Sequence, residues 1–96
     1  MMQSKYQVIV VGTGAAGLYA ALSLPKDMRI LMITKDAIEN SDSYLAQGGI
    51  SVLKDKADYE AYFEDTMRAG HYENNKESVQ VMIESSRSII NELIKY

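Results

Sequence analysis

The chain of 96 residues has no cysteine and no tryptophan, one proline and one histidine. Without cysteine there is no disulfide, no thiolate metal ligand and no thiol nucleophile, which fits a reducing compartment. Positive charge is scarce as well. Ten Lys and Arg stand against thirteen Asp and Glu, for a net charge of -3, and no basic cluster occurs. A partner with a phosphate backbone needs such a cluster, so DNA and RNA are not expected partners. No apolar run approaches the roughly 18 residues of a membrane span, and Met1 to Tyr6 lead straight into a strand. The expectation is a cytoplasmic chain with no membrane span.

The groups that usually carry chemistry are thin too. His71 stands alone after Gly70 in a polar loop and reads as a helix-end residue. Glu60, Glu64 and Asp65 lie on the polar face of a helix without a histidine or cysteine partner, so no metal site is expected. Ser85, Ser86 and Ser88 sit in a helical pattern with no base nearby in sequence, which leaves nucleophilic catalysis unsupported. No catalytic residue is assigned within these 96 positions.

What the chain does have, in a composition otherwise ordinary for a globular protein at 47% hydrophobic and 24% charged residues, is concentrated near its start. Val8-Ile9-Val10-Val11 runs into Gly12-Thr13-Gly14-Ala15-Ala16-Gly17, and Leu18-Tyr19-Ala20-Ala21 continues as a helix. Strand, glycine turn and helix in that order are what a dinucleotide pyrophosphate needs. Gly12 permits the sharp turn, Gly14 lets backbone approach the phosphates, and Gly17 lets the helix pack closely on the strand. The free N–H groups and positive dipole end of the helix then face the phosphate charge. The competing reading is a structural turn, and the fingerprint alone does not choose between NAD and FAD.

The remaining elements follow from periodicity. Strand one is predicted over 7–11, nearly continuous in Val and Ile as in a strand buried on both faces of a parallel sheet. Its helix runs from about Ala15 to Leu24 and stops at Pro25. Met28 to Thr34 forms strand two and completes a βαβ unit over 6–35. A right-handed crossover sets the strands side by side, with the glycine turn at their carboxyl ends, where ligands sit in such sheets. Lys35 to Ser43 is polar and aperiodic, a surface loop. Between Tyr44 and Leu53 two glycines interrupt an apolar segment. This is either a bulge or tight turn before a short third strand, or backbone brought against a planar ligand.

Two amphipathic helices close the chain, at about 58–70 and 75–96. The first places Tyr59, Tyr62, Phe63, Thr66, Met67 and Gly70 on one face, with Asp58 as N-cap and Gly70 as stop. The second begins near Asn74, whose spacing to Glu77 fits a capping box, and lines up Val79, Met82, Ile83, Ser86, Ile90, Leu93 and Ile94. Both stripes read as core. The last helix is still apolar at Leu93-Ile94-Lys95-Tyr96, and a doubly wound sheet usually has five or six strands. The chain is therefore expected to be the amino-terminal piece of a larger protein, with residues 1–96 forming part of one domain.

Gly12-Thr13-Gly14-Ala15-Ala16-Gly17, Thr34-Lys35 at the end of strand two, and Ala46-Gln47-Gly48-Gly49-Ile50 together resemble the start of the FAD domain of the fumarate reductase, succinate dehydrogenase and L-aspartate oxidase family. The likeness covers essentially the whole chain. Glu64-Asp65-Thr66 followed by Ala69-Gly70 is similar to the aspartate oxidase branch. The fold class implied is α/β, the N-terminal portion of a Rossmann-like FAD-binding domain: a βαβ unit with parallel strands, a flavin-facing loop over 36–53 containing the glycines, and two amphipathic helices.

The resemblance also implies the site. An ordinary dinucleotide site carries an acid about 20 residues past the glycines, on the ribose. Asp36 lies near that position but follows Thr34-Lys35, a pair that this family sets beside the adenosine half of FAD, so Lys35 is preferred to Asp36. Gly12 and Gly17 shape the turn, and Thr13, Gly14, Ala15 and Ala16 line the pyrophosphate. Asp42, Ser43, Tyr44, Leu45, Ala46, Gln47, Gly48 and Gly49 wrap toward the flavin ring. Respiratory members attach FAD through a histidine in this loop; Asp42 stands there here, which implies non-covalent FAD. Where the family commonly has an aromatic pair before Ala46, this chain has Tyr44-Leu45.

For the whole enzyme the resemblance implies L-aspartate as substrate, oxidised by hydride transfer to FAD to give iminoaspartate for NAD biosynthesis, with oxygen or fumarate as electron acceptor. The substrate-binding residues are expected beyond Tyr96, so these 96 residues alone are expected to be inactive. The alternatives are part of a soluble fumarate reductase-type flavoprotein, or a small nucleotide-binding module with no enzymatic role.

Overall fold

The computed structural model describes residues 5–96 as an α/β chain with a two-stranded parallel sheet and several helices. The described residues divide between Gly48 and Gly49 into two compact units.

The first unit holds β1 (Val8–Val11), α1 (Ala15–Leu22), β2 (Ile30–Ile33) and α2 (Asp42–Leu45). The β-branched run of β1 suits a pleated surface, and it pairs in parallel with β2 so that Val8 lies opposite Ile30 and Val11 opposite Ile33. Pairing extends one residue below β1. The Gln7 N–H donates to the Arg29 carbonyl, and the Gln7 side-chain oxygen accepts the Arg29 N–H, both at 2.9 Å. Burial alternates along β1: Val8 and Val10 are half-buried, whereas Ile9 is 59% and Val11 79% exposed. A strand expected to be covered on both faces is thus covered on one. α1 packs against β1, and Ile9 and Val11, which point the other way, are exposed.

α1 ends at Leu22, two residues before the predicted end at Leu24. Ser23 donates both its N–H, at 3.0 Å, and its hydroxyl, at 2.7 Å, to the Tyr19 carbonyl. Pro25 also biases Leu24 away from helical geometry, so the helix closes before the proline itself.

The stretch read as a plain surface loop contains ordered turns. Ile38–Asn40 forms a 3-10 turn, and α2 follows directly, with Ser41 accepting the Tyr44 N–H at 3.2 Å as its N-cap. The Asp36 carboxylate accepts the Ala37 N–H at 2.7 Å. That bond, helped by the Asn40 side chain, holds the Asp36 carboxyl below the usual carboxylate range. No third strand forms among the described residues of 44–53. The chain leaves α2 without regular structure, and Gly48 takes a φ of 110°, a left-handed value that favours glycine.

The second unit is built on α3 (Tyr59–Ala69) and α4 (Lys76–Ile94). Its core is Met67, Val79 and Ile83, the last fully buried, with Leu53, Tyr59, Tyr62 and Phe63 packed around them. The Tyr59 and Phe63 rings stack at 5.9 Å. The predicted stripe on α3 is the buried or half-buried one throughout. On α4 it is only partly so, because Met82, Leu93 and Ile94 are exposed. A helix of 19 residues against one of 11 outruns its partner, roughly 28 Å against roughly 16 Å at 1.5 Å per residue. Residues 51–54 are stitched to both helices. Leu53 N–H donates to Ser86 Oγ at 2.9 Å, Arg87 donates to the Leu53 and Lys54 carbonyls at 3.2 and 2.8 Å, and Tyr62 donates to the Ser51 carbonyl at 3.2 Å.

Gly70 closes α3 as C-cap, as the spacing suggests, whereas the side-chain caps at the N-terminal ends differ by one to three residues. Asp58 has helical geometry and makes no side-chain cap; Asp55 accepts the Asp58 N–H at 3.1 Å and starts a 3-10 turn, Lys56–Asp58, that leads into α3. Asn75, not Asn74, caps α4 by accepting the Ser78 N–H at 2.9 Å. Asn74 is used elsewhere. Its amide donates to the Thr66 carbonyl at 3.1 Å, and it presses on Gly70, where an added Cβ would strike the amide group. Gly70 has a φ of -89°, so close approach rather than left-handed backbone requires glycine there. The left-handed residues are His71 and Tyr72, with φ of 55° and 60°.

No helix among the described residues is long and apolar enough to cross a membrane.

Candidate cofactor site

β1 ends by handing its next amide across the sheet: the Gly12 N–H donates to the Ile33 carbonyl at 2.7 Å. Gly12 then takes a φ of 110°, and the chain reverses into α1. This turn brings its own backbone against the helix. A Cβ on Gly17 would collide with the Gly12 carbonyl oxygen and lie 3.4 Å from Val10 Cγ1. The turn is therefore closed by backbone-to-backbone packing that no side chain could enter.

The start of α1 is open to a charge-bearing ligand. No acidic residue occupies its first turn. The first bond that returns into the helix is Leu18 N–H to the Gly14 carbonyl, at 3.0 Å. The N–H groups before it have no partner within the helix. One of them is taken from across the site: Ala15 N–H donates to Ser43 Oγ at 2.9 Å. Gly14, whose φ of -78° any residue adopts, has that same hydroxyl as its neighbour; a Cβ there would sit 3.1 Å from Ser43 Oγ. Thr13 is 7% exposed, and its hydroxyl has no hydrogen-bond partner. A buried hydroxyl left unpaired costs about 1–3 kcal/mol, and its place beside the open amides marks this turn as the position that a polar ligand would complete.

These groups line a cleft of about 600 Å³ at the carboxyl ends of β1 and β2, within the size range of ligand sites. Its walls are residues 11–14, 33–37 and 40–43. Of the site residues expected from sequence, Gly12, Thr13, Gly14, Lys35, Asp42 and Ser43 meet here. Ala15 joins through its N–H to Ser43, while Ala16 and Gly17 lie behind the lining in α1. Tyr44 and Leu45, in α2, and Ala46, Gln47 and Gly48 after it are exposed and outside the cleft wall; Gly49 opens the second unit.

Among the lining residues that follow β2, Ala37, Asn40 and Ser41 were not singled out by the sequence; Thr34 was named only as the partner of Lys35, and Asp36 only as a ribose ligand set aside. The signal for them was indirect. Parallel pairing puts whatever follows β2 beside the glycine turn, and Asn40-Ser41-Asp42-Ser43 is the polar cluster at that edge. Asp36 spends its carboxylate on Ala37 and Asn40, whereas the Lys35 side chain is exposed and is the cation among the described lining residues. No cluster of three or more His, Asp or Glu suited to a metal occurs among the described residues.

The model of the FAD binding domain family matches residues 7–96. The chain is 47% identical over 93 residues to an L-aspartate oxidase of Clostridium perfringens, covering 97% of this chain and 21% of that protein. It is 44% identical over 95 residues to an L-aspartate oxidase of Clostridium acetobutylicum, covering 99% and 22%. A third, from Pseudomonas aeruginosa, is 39% identical over 97 residues, covering 98% and 18%. The chain thus spans about a fifth of the length of these relatives. No solved structure matches it.

Proposed function

The chain belongs to the FAD binding domain family, and on that premise we propose that it is the amino-terminal, FAD-holding part of an L-aspartate oxidase. The observation that carries the reading is the turn itself: open α1 amides beside the buried, unpartnered Thr13 hydroxyl, at the carboxyl edge of two parallel strands. That arrangement suits a diphosphate, which accepts hydrogen bonds and is stabilised at a helix N-terminus. The βαβ unit is then the start of a Rossmann-like FAD-binding domain.

In this reading Thr13, Gly14, Ala15 and Ala16 hold the pyrophosphate on a turn shaped by Gly12 and Gly17. Lys35 faces the adenosine half, and Asp42 to Gly49 form the segment that leads toward the flavin ring. Asp42 offers a carboxylate where covalent attachment needs a histidine, so the cofactor is held without a covalent bond. Bound FAD supplies the hydride acceptor; the residues here supply its anchorage. The whole protein oxidises L-aspartate to iminoaspartate for NAD biosynthesis in the cytoplasm, with oxygen or fumarate as electron acceptor. The relatives bearing the name L-aspartate oxidase favour this substrate over that of a soluble fumarate reductase.

The test is an anaerobic titration of the full-length, FAD-loaded protein with L-aspartate, followed by visible absorbance. Bleaching of the flavin band by L-aspartate is the expected result. A flavin band untouched by L-aspartate would overturn the assignment of substrate.

A further inference from the structure

The segment after Gly48 is built like one strand of a pair. From Gly49 to Lys54 it runs without a bend or turn, and side chains alone hold its backbone on one side. The Leu53 N–H donates to Ser86 Oγ, the Leu53 carbonyl accepts the Arg87 Nε–H, and the Ser51 carbonyl accepts the Tyr62 hydroxyl. In an extended chain the N–H and C=O of one residue point to the same side, and those of its neighbours point to the other. Ser51 and Leu53 thus turn their backbone groups to α3 and α4, and Ile50 and Val52 turn theirs away. Among the described residues the backbone groups of Ile50 and Val52 make no hydrogen bond, and Ile50 is 69% exposed. Both are β-branched, and no proline interrupts the run from Gly49 to Lys54. An open edge of this kind is a template for another strand.

We propose that Ile50 to Val52 is the docking edge for a β-strand of the same polypeptide beyond Tyr96, which pairs with the N–H and C=O groups of Ile50 and Val52. This rests on the reading of the chain as the amino-terminal part of a longer protein. The chain spans about a fifth of the length of the L-aspartate oxidases it matches, so most of such a protein lies outside these residues. A strand in the same chain meets the edge at the effective concentration of a tethered partner, whereas a second copy meets it only at the concentration of the protein. Ser86, Arg87 and Tyr62 give the edge its readiness. They hold residues 51–53 extended before the partner arrives, so pairing demands little further ordering of this segment.

The experiment is amide hydrogen exchange of the full-length protein, resolved to single residues by mass spectrometry, with FAD bound and with FAD removed. Ile50 and Val52 should exchange at least about a hundredfold more slowly than in an unstructured peptide in both forms. Ser51, whose N–H points to the helix side and has no partner there among the described residues, should exchange at least about tenfold faster than its two neighbours. Free exchange at Ile50 and Val52, or equal slowing of all three amides, would overturn the pairing, since burial alone does not alternate. Slowing seen only with FAD bound would overturn it as well, because the flavin and not a strand then covers the edge. Slowing lost on dilution would make a second copy the occupant and overturn the assignment to the same polypeptide. Backbone Overhauser contacts from Ile50 and Val52 to residues beyond Tyr96 are expected, and contacts confined to residues 5–96 would contradict the proposal. The FAD content of the same sample judges the flavoprotein reading separately: an edge slowed in a protein that binds no FAD supports the pairing and overturns that reading.

Discussion

Gly17 and Gly70 are glycine because of what presses on them, and each makes a direct prediction. Alanine at Gly17 drives a methyl into the Gly12 carbonyl, and alanine at Gly70 drives one into the Asn74 amide. Overpacking of this kind costs about 1–3 kcal/mol. The two sites should differ in what relieves them. Gly70→Ala meets a side chain, so Asn74→Ala in the same molecule should recover part of the loss, and a double-mutant cycle by denaturant unfolding measures it. Gly17→Ala meets backbone, so no single truncation should rescue it, and FAD content of the full-length protein should fall with stability. Sequence spacing identified Gly17 as a close-packing position and Gly70 as the stop of α3, and both hold. What the spacing does not show is the second demand at Gly70, the Asn74 side chain that the turn after α3 folds back against it.

Asp36 carries a pH signature at the same scale. Its carboxyl is held low by the Ala37 N–H, so the bond is fully formed above the ordinary carboxylate range and is lost only as pH falls through the lower folded value. The Ala37 amide resonance should therefore titrate with a midpoint below that of an aspartate in an unfolded peptide. A midpoint at or above the peptide value would contradict the bond.

At the scale of elements, strands and long helices were legible because their signals are local and repeated: β-branched runs, a glycine turn, a 3.6-residue stripe. The turn Ile38–Asn40 and the four-residue α2 were not. They are too short to show a period and are fixed instead by side-chain bonds from Asp36 and Ser41. The shift from Asn74 to Asn75 has a similar origin: either asparagine can serve as an N-cap, the Glu77 spacing favours Asn74, and Asn74 is instead engaged with the Thr66 carbonyl while Asn75 caps. Asn75→Ala should cost about 1 kcal/mol and raise amide exchange in the first turn of α4, the effect of a lost N-cap. In the core of the second unit, Ile83→Ala should cost about 2–5 kcal/mol in denaturant unfolding, as expected for a fully buried aliphatic side chain. A loss under 1 kcal/mol would mean that Ile83 is not at the centre of the packing.

At the scale of the whole molecule, each unit leaves apolar surface open. In the first it is Ile9, Val11 and Ile33 on the strands; in the second it is Val81, Met82 and Ile94 on α4. The βαβ pattern told where the cleft edge lies, yet it predicted strands covered on both faces, because the sequence signal of a buried strand says nothing about which part of a protein supplies the cover. The 96-residue chain by itself should therefore bind a hydrophobic dye and associate with concentration in sedimentation experiments. It should form no peroxide with L-aspartate.

The most direct measurement is the flavin content of the purified full-length protein after incubation with FAD and removal of excess, followed by acid precipitation. About one FAD per chain is expected, all of it released to the supernatant. A protein that retains no FAD would contradict the site, and flavin that stays with the precipitate would contradict non-covalent anchorage at Asp42.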